Sequence, residues 1–528
     1  MRRRRTAARG VALSLVLAGL TVAPPARGQA AQAPPRVTAA VQVTANLDPA
    51  RGHSSPQIAV NPLNGELVIG EGEARTTQRC NTHISTDGGR SWSPGGNPMV
   101  EPFTNCTLQA TNGNYISLHF DPRGVLWAAF LGSEHKFSDE LPRADVPRHV
   151  YLARSEDSGR TWTTTRAFEG QLGDPGTGGT RRPLVAVDPR DPQTIYIGWQ
   201  KGGTSAVKAK GMVSISRDGG RTFEEPLDLS DSRGSTQPRV TVDGQGVVHT
   251  IFTTNNFGVP TTPEAPTRPL YYRRSTDGGR TWSEQREIDP HNALFSFGRK
   301  SLITADPSSS YVYVTWYGNV NPRARRPAPN APSTDEFDDR EIFVRVSPDS
   351  GLTWGEARLV NDDAARRNIQ HYDSTVSIAP NGRVDIAWYD FRNSPVGEFE
   401  GPGGNAGGFQ DVYYAYSTDH GATFSPNIRV TDRIIDRNIG VWSNNVHSHT
   451  NVGVASTDGG VYIAWQDTRN GGGEHQAEDI YFASLAFGEA QQDDDEGVPA
   501  GIVLAASAAV GMGVTILLVL AVSRRRGA

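Results

Sequence analysis

The chain has 528 residues, rich in Gly (57) and Pro (35) and poor in Met (4) and Cys (2), with a formal net charge of −5. Nine basic residues lie in its first 30 and last 31 positions, where there is no acid, leaving 43 basic against 57 acidic residues, a net charge of −14, in residues 31–497. That balance excludes a nucleic-acid partner, which needs a basic face, and the Gly and Pro content suits many short strands joined by tight turns.

At the N-terminus, Arg2 to Arg5 form a basic start and Val11 to Ala23 a short apolar run. Gly28, Ala30, Ala31 and Ala33 then supply small residues for cleavage. Residues 1–33 therefore read as a secretory signal peptide. Val37 to Thr44 follow with alternating apolar and polar residues, the pattern of a half-buried strand. Export would place Cys80 and Cys106, the two cysteines, where a disulfide can form. Such a bridge would contribute roughly 3 kcal/mol through loop entropy; a free buried pair is the alternative.

The body of the chain repeats one motif six times, Ser-x-Asp-x-Gly-x-Ser/Thr-Trp/Phe. The copies are Ser85–Trp92, Ser155–Trp162, Ser216–Phe223, Ser275–Trp282, Ser347–Trp354 and Ser417–Phe424, and their starts are 70, 61, 59, 72 and 70 residues apart. The motif has the chemistry of a turn. The carboxylates of Asp87, Asp157, Asp218, Asp277, Asp349 and Asp419 can accept from backbone N–H groups ahead of them. The Gly two residues on tolerates positive φ, and the aromatic residue begins the next strand. The motif resembles the Asp box of sialidases and related propellers, and the resemblance makes these six aspartates structural turn locks.

Around each box the pattern extends to four strands. A first strand ends in an Asp-Pro or equivalent turn, as in Leu184–Pro189; a second often carries Trp, as in Ile195–Trp199, Val312–Trp316, Val384–Trp388 and Val461–Trp465. A third leads into the box, as in Asp411–Tyr416, and a fourth follows it. That is one propeller blade. First strands near Gln57, Ile116, Leu184, Arg239, Leu302, Thr375 and Val452 give seven units. The seventh has no box and no fourth strand of its own, and Val37 to Thr44 can supply one, closing the ring. The expected fold is all-β, a seven-bladed propeller over residues 34–487; six blades with one accessory unit is the alternative.

An acidic linker, 488–497, follows, and Val498 to Val522 carry no charge and are long enough to span a bilayer as a helix. Arg524, Arg525 and Arg526 lie in the short tail 523–528 and orient that tail to the cytoplasm and the propeller outside.

Strand direction puts the boxes on one face of the ring. The starts of first strands and the loops between second and third strands lie on the other, and several of those loops are long: Gly132–Arg148, Asn255–Arg268, Gly318–Asp339 and Asn393–Gln410. Elaborated loops on one face of a rigid scaffold usually carry function. The first-strand starts there supply His53, Arg181, Arg182, Arg239, Arg299, Lys300, His371, Tyr372, Asp373, His447 and His449. As a group they can grip an anionic or polyhydroxylated ligand or pair with one another. The histidines have no convincing ligand spacing, so neither a metal nor another cofactor is expected. The last two units share Trp388-Tyr-Asp390-Phe-Arg392 and Trp465-Gln-Asp467-Thr-Arg469, followed by Asp411 and Asp479. The repetition suggests an Arg–carboxylate clamp that braces each loop, with a ligand role as the other reading. Glu71 and Glu73 hold the matching place in the first unit.

Boxes and blades cover nearly all of residues 34–487, and the sequence is similar to bacterial BNR/Asp-box proteins grouped with the sialidase superfamily. The resemblance implies a pocket of three arginines, a Tyr–Glu nucleophile pair and an acid/base Asp. Arg181-Arg182-Pro183 resembles the family's Arg-x-Pro motif but stands in the third unit, without the expected later Asp. Arg299 can be a second arginine, Tyr317 or Tyr389 the phenol, and Glu71, Glu73 or Asp373 the carboxylate. By this resemblance Asp373, Arg182, Arg299 and Tyr317 are the catalytic candidates. Arg181, Lys300, His371, Asp390, Arg392, Asp467 and Arg469 are the ligand-binding ones. Seven blades depart from the six of known sialidases. The expectation is a membrane-anchored, extracellular, sialidase-like propeller acting on or binding a glycan or glycoprotein. The alternatives are a noncatalytic propeller with a glycan or protein partner, and an extracytoplasmic assembly factor.

Overall fold

The computed structural model describes residues 35–73, 79–99, 116–133, 147–171, 181–202, 208–231, 234–235, 238–253, 270–289, 302–319, 340–363, 369, 371–394, 408–440, 451–472 and 475–487. The expected signal peptide, Cys106, the acidic linker, the apolar span 498–522 and the basic tail lie outside them, as do Arg299, Lys300, His447 and His449. Among the described residues no helix is long and apolar enough to cross a membrane.

The strands fall into seven antiparallel sheets. The first blade is β2 (His53–Val60), β3 (Leu67–Glu73), β4 (Cys80–Ser85) and β5 (Ser93–Pro94). The second is β6 (Ile116–Phe120), β7 (Leu126–Gly132), β8 (His149–Ser155) and β9 (Thr163–Phe168). The third is β10 (Arg181–Val187), β11 (Ile195–Lys201), β12 (Lys210–Ser216) and β13 (Leu227–Asp228). The fourth is β14 (Arg239–Val242), β15 (Val248–Thr253), β16 (Leu270–Ser275) and β17 (Arg286–Asp289). The fifth is β18 (Leu302–Ala305), β19 (Val312–Asn319), β20 (Arg340–Ser347) and β21 (Arg358–Leu359). The sixth is β22 (His371–Ile378), β23 (Val384–Asp390), β24 (Phe409–Ser417) and β25 (Ile428–Arg429), with β26 (Ile435–Asp436) added on β24. The seventh is β27 (Gly453–Thr457), β28 (Gly460–Asp467) and β29 (Asp479–Ala486), completed by β1 (Val41–Gln42).

The ring closes as the alternation in Val37 to Thr44 suggests. Val41 pairs with Phe482 and Gln42 with Tyr481, with a further bridge from Val37 to Leu485. The innermost strands touch in sequence, β2 to β6, β10, β14, β18, β22 and β27, and β27 packs back on β2. Each seam between blades is apolar. Ile58, Leu67 and Ile69 of the first blade meet Ala464, Ile480 and Phe482 of the seventh, for example, with Val43 of the closing segment among them. Trp199, Trp316, Trp388 and Trp465 lie in the second strands of four blades and are buried.

The six boxes share one hydrogen-bond pattern. The box Ser hydroxyl donates to the Asp carboxylate at 2.7–2.9 Å and accepts from the box Gly N–H at 2.8–2.9 Å. The Ser or Thr four residues after the Asp donates its N–H at 2.8–3.0 Å and its hydroxyl at 2.6 Å to the same carboxylate. The Thr222 hydroxyl and N–H hold Asp218 down to about 2. The box Gly has positive φ throughout, and so does the residue before it. Gly89 and Gly351 also admit close neighbours: a Cβ would lie 2.0 Å from the Phe482 ring and 1.7 Å from the Tyr272 hydroxyl, each in the preceding blade.

Three boxes place a non-glycine residue in that left-handed position: Ser158 (φ 56°), Ser350 (φ 53°) and His420 (φ 55°). Each of these side chains reaches the preceding blade. Asn61 Nδ2 donates to Ser158 Oγ at 3.0 Å, and the Ser350 hydroxyl bonds Asp243. The His420 ring stacks 4.0 Å from Tyr311, 3.2 Å from the Tyr313 hydroxyl.

Asp277→Ala removes the acceptor for both Thr281 groups and should lower stability by about 1–3 kcal/mol. Gly351→Ala should cost more, because strain and a clash with Tyr272 add. Denaturant midpoints of the two variants against wild type test this order.

Candidate functional site

On the face away from the boxes, three innermost strands break register near their first residues: β2 between Ser54 and Gln57, β10 between Arg181 and Leu184, and β22 between Tyr372 and Thr375. The register pairs His53 with Glu73 and His371 with Asp390, so β2 and β22 begin alike. Ser55 (φ 54°) and Asp373 (φ 58°) occupy the same place in the two bulges, in backbone that non-glycine residues rarely adopt. Strain of this kind persists where the surroundings over-determine it and clusters at functional sites. Asp373 is 3% exposed.

Next to it, the His371 ring is buried between carboxylates from two blades. Nδ1 lies 3.3 Å from Glu341 Oε2; Nε2 lies 3.0 Å from Asp363 Oδ1 and 3.3 Å from Asp390 Oδ2. Burial alone would push the imidazole pKa down, but Asp390 and Asp363 hold it well above its ordinary value. Glu341, Asp363 and His371 are close enough to hold a metal ion. However, Arg392 Nη2 already stands 3.1 Å from Asp363 Oδ1 and 2.8 Å from Asp390 Oδ2, delivering the positive charge a cation would bring. Asn361 ties the group together by donating to Glu341 and Asp363. Neither Glu341 nor Asp363 was visible as a partner of His371 in sequence, because each lies in a different strand or loop.

The repeated Trp-x-Asp-x-Arg segments form the same brace in the last two blades. Trp388 Nε1 and Arg392 donate to Asp390 Oδ2, and the Arg392 guanidinium lies 4.1 Å over Tyr413. Trp465 Nε1 and Arg469 donate to Asp467 Oδ2, and Arg469 lies 4.1 Å over Tyr481. The following asparagines complete it: Asn393 reaches Asp411 and the Tyr413 hydroxyl, and Asn470 reaches Asp479 and the Tyr481 hydroxyl. Asp411 also binds Arg429, and Asp479 binds Arg51 through two bonds of 2.7 Å. This is the loop-bracing clamp that the repetition suggests, with each arginine held by carboxylates of its own neighbourhood.

In the first blade Glu71 is buried, with His53 Nδ1 at 3.0 Å, His83 Nε2 at 3.3 Å and Asn81 Nδ2 at 2.7 Å, all on Oε1. Burial pushes its pKa up, but the two histidines bring it down to about 2. Between the first and sixth blades the seventh supplies a buried polar link. The Tyr389 hydroxyl accepts from the Gln466 N–H at 3.1 Å, Gln466 Nε2 donates to Glu478, and the Glu478 carbonyl accepts from the His53 N–H at 3.1 Å. Arg437, just past β26, is fully buried, and its charge acts on Tyr389 together with that of Asp373.

The structure thus brings Asp373, His371, Asp390, Arg392, Asp467 and Arg469 into one sector, the sixth and seventh blades. Tyr317 touches it from the fifth, edge-on to Tyr372 with ring centres 5.5 Å apart. Arg181 and Arg182 begin β10 in the third blade; their side chains are not among those described. Sequence reading missed Arg437 and Glu478, which stand outside every repeated motif, and Gln466, a variable position of the repeated Trp-x-Asp-x-Arg segment. The only signal for Glu478 is its place beside Asp479, the residue that opens the third strand.

No family model matches the chain, and no curated protein matches it. Many solved structures share its general architecture. One is a protein of unknown function from Dyadobacter fermentans, 14% identical, covering 86% of this chain and 99% of that one with a TM-score of 0.46. Another is the Penicillium chrysogenum α-L-arabinanase complexed with arabinobiose, 13% identical, covering 85% and 98% with a TM-score of 0.42. A third is the Trypanosoma rangeli sialidase with difluorosialic acid, 12% identical, covering 70% and 53% with a TM-score of 0.39. None assigns a role to any residue of this chain.

Because the folded-state pKa of His371 is raised, the stability it contributes is fully present below about pH 6.5 and is lost as pH rises through the raised value. Stability measured by denaturant titration should therefore decline on the alkaline side of neutrality. His371→Gln should be less stable at pH 6 and should flatten that decline.

Proposed function

We propose that this is an exported, membrane-anchored, sialidase-like propeller that acts on glycans with the face away from its boxes. The observation that carries the reading is Asp373. It is a buried carboxyl in left-handed backbone, at the mouth of an innermost strand, in the sector that also holds Tyr389 and Arg437. A carboxyl fixed there can give a proton to a glycosidic oxygen, and a phenol, Tyr389 or Tyr317, can stand opposite it. The signal peptide, the anchor at 498–522 and a Cys80–Cys106 disulfide belong to the same reading; Cys80 is buried at the start of β4.

Soluble segment 34–496 should turn over a fluorogenic glycoside in a panel that includes a sialoside and an arabinofuranoside. Asp373→Asn should reduce kcat by about 10²–10⁴-fold, and Arg299→Ala should also reduce turnover strongly. No turnover of any substrate by wild type sinks the hydrolytic reading, and an unchanged rate in Asp373→Asn rejects this site. Alkylation of the denatured, unreduced protein should leave both cysteines unmodified.

One observation favours a binding role without hydrolysis. His371, Glu71, Asp390 and Asp467 are each engaged by charged neighbours, which leaves few groups at the mouth, among the described residues, free to move a proton. Glycan retention on an array, without turnover, is the result that reading expects.

A further inference from the structure

The segment that closes the ring reaches the first blade through an exposed strap. After Thr44 the chain passes to β2 along residues 45–50, all of them exposed, with Leu47 90% exposed. Both ends of the strap are pinned to one carboxylate: Thr44 donates to Asp479 at 2.9 Å, and Arg51 grips it through two bonds of 2.7 Å. Within the strap Asp48 makes a tight turn, accepting from the Ala50 N–H on Oδ1 and from Arg51 on its carbonyl. Among the described residues, two hydrogen bonds tie its middle to the body. The Gln476 N–H of the seventh blade donates to the Pro49 carbonyl at 3.0 Å, and the Asn46 amide meets His53 Nε2 of the first blade at 2.8 Å. Local opening begins in segments of this kind, with exposed backbone and few tertiary bonds.

Of the groups in those contacts, His53 is the one that changes charge near neutrality. It is buried, and charged groups face it from each neighbouring element. From β3, Glu71 stands 3.0 Å from Nδ1, and Glu73 pairs with His53 in register and accepts from the Gly52 N–H. From β4, His83 shares Glu71 Oε1. From the seventh blade, the Glu478 carbonyl accepts the His53 N–H while its carboxylate takes Gln466, and Asp479 stands beyond, gripped by Arg51. Burial alone would push the imidazole pKa down, but Glu71 first, then Asp479 and Glu73, hold it above its ordinary value. An uncharged His53 leaves the buried Glu71 carboxylate short of counter-charge, which is unfavourable. The strap reads the same proton. A neutral ring can accept at Nε2 from the Asn46 amide N–H. A charged ring donates there instead, to Asn46 Oδ1 once the amide turns over, and the charge-assisted bond is the stronger.

We propose that residues 45–50 are a strap latched by the proton on His53, closed on the first blade in mild acid and released as that proton leaves. Because the folded-state pKa of His53 is raised, the stabilisation is fully present below about pH 6.5 and is lost as pH rises through the raised value. The strap shares Asp479 with Asn470 of the seventh-blade brace, so its release loosens that brace and the mouth beside it. The latch does not depend on what the propeller binds.

The test is amide hydrogen exchange on full-length protein at about pH 6 and about pH 9, each amide referred to its intrinsic rate at that pH. Protection of residues 43–53, and of Gln476, whose N–H bonds the strap, should fall about tenfold at the higher pH. Protection in the second, third and fourth blades should change far less. His53→Gln should abolish the response of the strap. His371→Gln should leave it intact, which separates the latch from the general alkaline loss of stability. Asn46→Ala, at an exposed position, covers the case in which His53→Gln does not fold, and should give the low, pH-independent protection of a released strap. Three results overturn the proposal: wild-type strap protection that does not change with pH, a response that survives His53→Gln or Asn46→Ala, or an equal loss of protection in every blade.

Discussion

Everything in this molecule hangs on the closure of the seventh blade. Three strands at the end of the chain would leave an open sheet edge and a gap in the ring; residues 37–44 remove both by lying along β29. The closing segment is then fastened by charge. Arg51 grips Asp479 through two bonds of 2.7 Å, and Thr44 donates to the same carboxylate at 2.9 Å, across 435 residues of sequence. Asp479 opens the third strand of the seventh blade, and Asn470 of the brace holds its other side. One buried carboxylate thereby joins ring closure to the geometry of the candidate site.

The two faces divide the work. On one, six near-identical boxes satisfy a tight turn with a Ser, an Asp and a Ser or Thr, whose side chains are spent on one another and on the backbone. On the other, bulged first strands and paired acids produce variety: a His371 ring held between three carboxylates, a Glu71 held by two histidines, and a buried arginine, Arg437, whose guanidinium has no hydrogen-bond partner among the described residues. The sixth, seventh and first blades are linked through Tyr389, Gln466, Glu478 and His53.

The fold was legible because each of its devices is local. A box announces itself within eight residues, a blade within about sixty, and the missing fourth strand of the last unit pointed directly to Val37 to Thr44. The site was legible only in part, for a physical reason. The Trp-x-Asp-x-Arg brace is built within one strand and its loop, so its repetition exposed it. The His371 group draws Glu341 from β20, Asp363 from the loop before β22 and Asp390 from β23, so its members share no spacing. Arg437 carries no pattern at all; it is marked only by its burial and by having no hydrogen-bond partner among the described residues.

The residues at the strained position of the boxes have a consequence for assembly. Seven similar units raise a problem of order, since one blade's apolar flank resembles another's. Ser158, Ser350 and His420 each trade backbone comfort for a side chain that recognises a different partner next door: a donating amide, a carboxylate and a tyrosine pair. Three seams thereby carry their own keys, whereas the boxes with Gly88, Gly219 and Gly278 have no side chain there to offer. Such keys let a repetitive chain tell its neighbours apart and oppose the swapping of blades between copies. Replacing all three by glycine would relieve strain and, with it, erase the addresses.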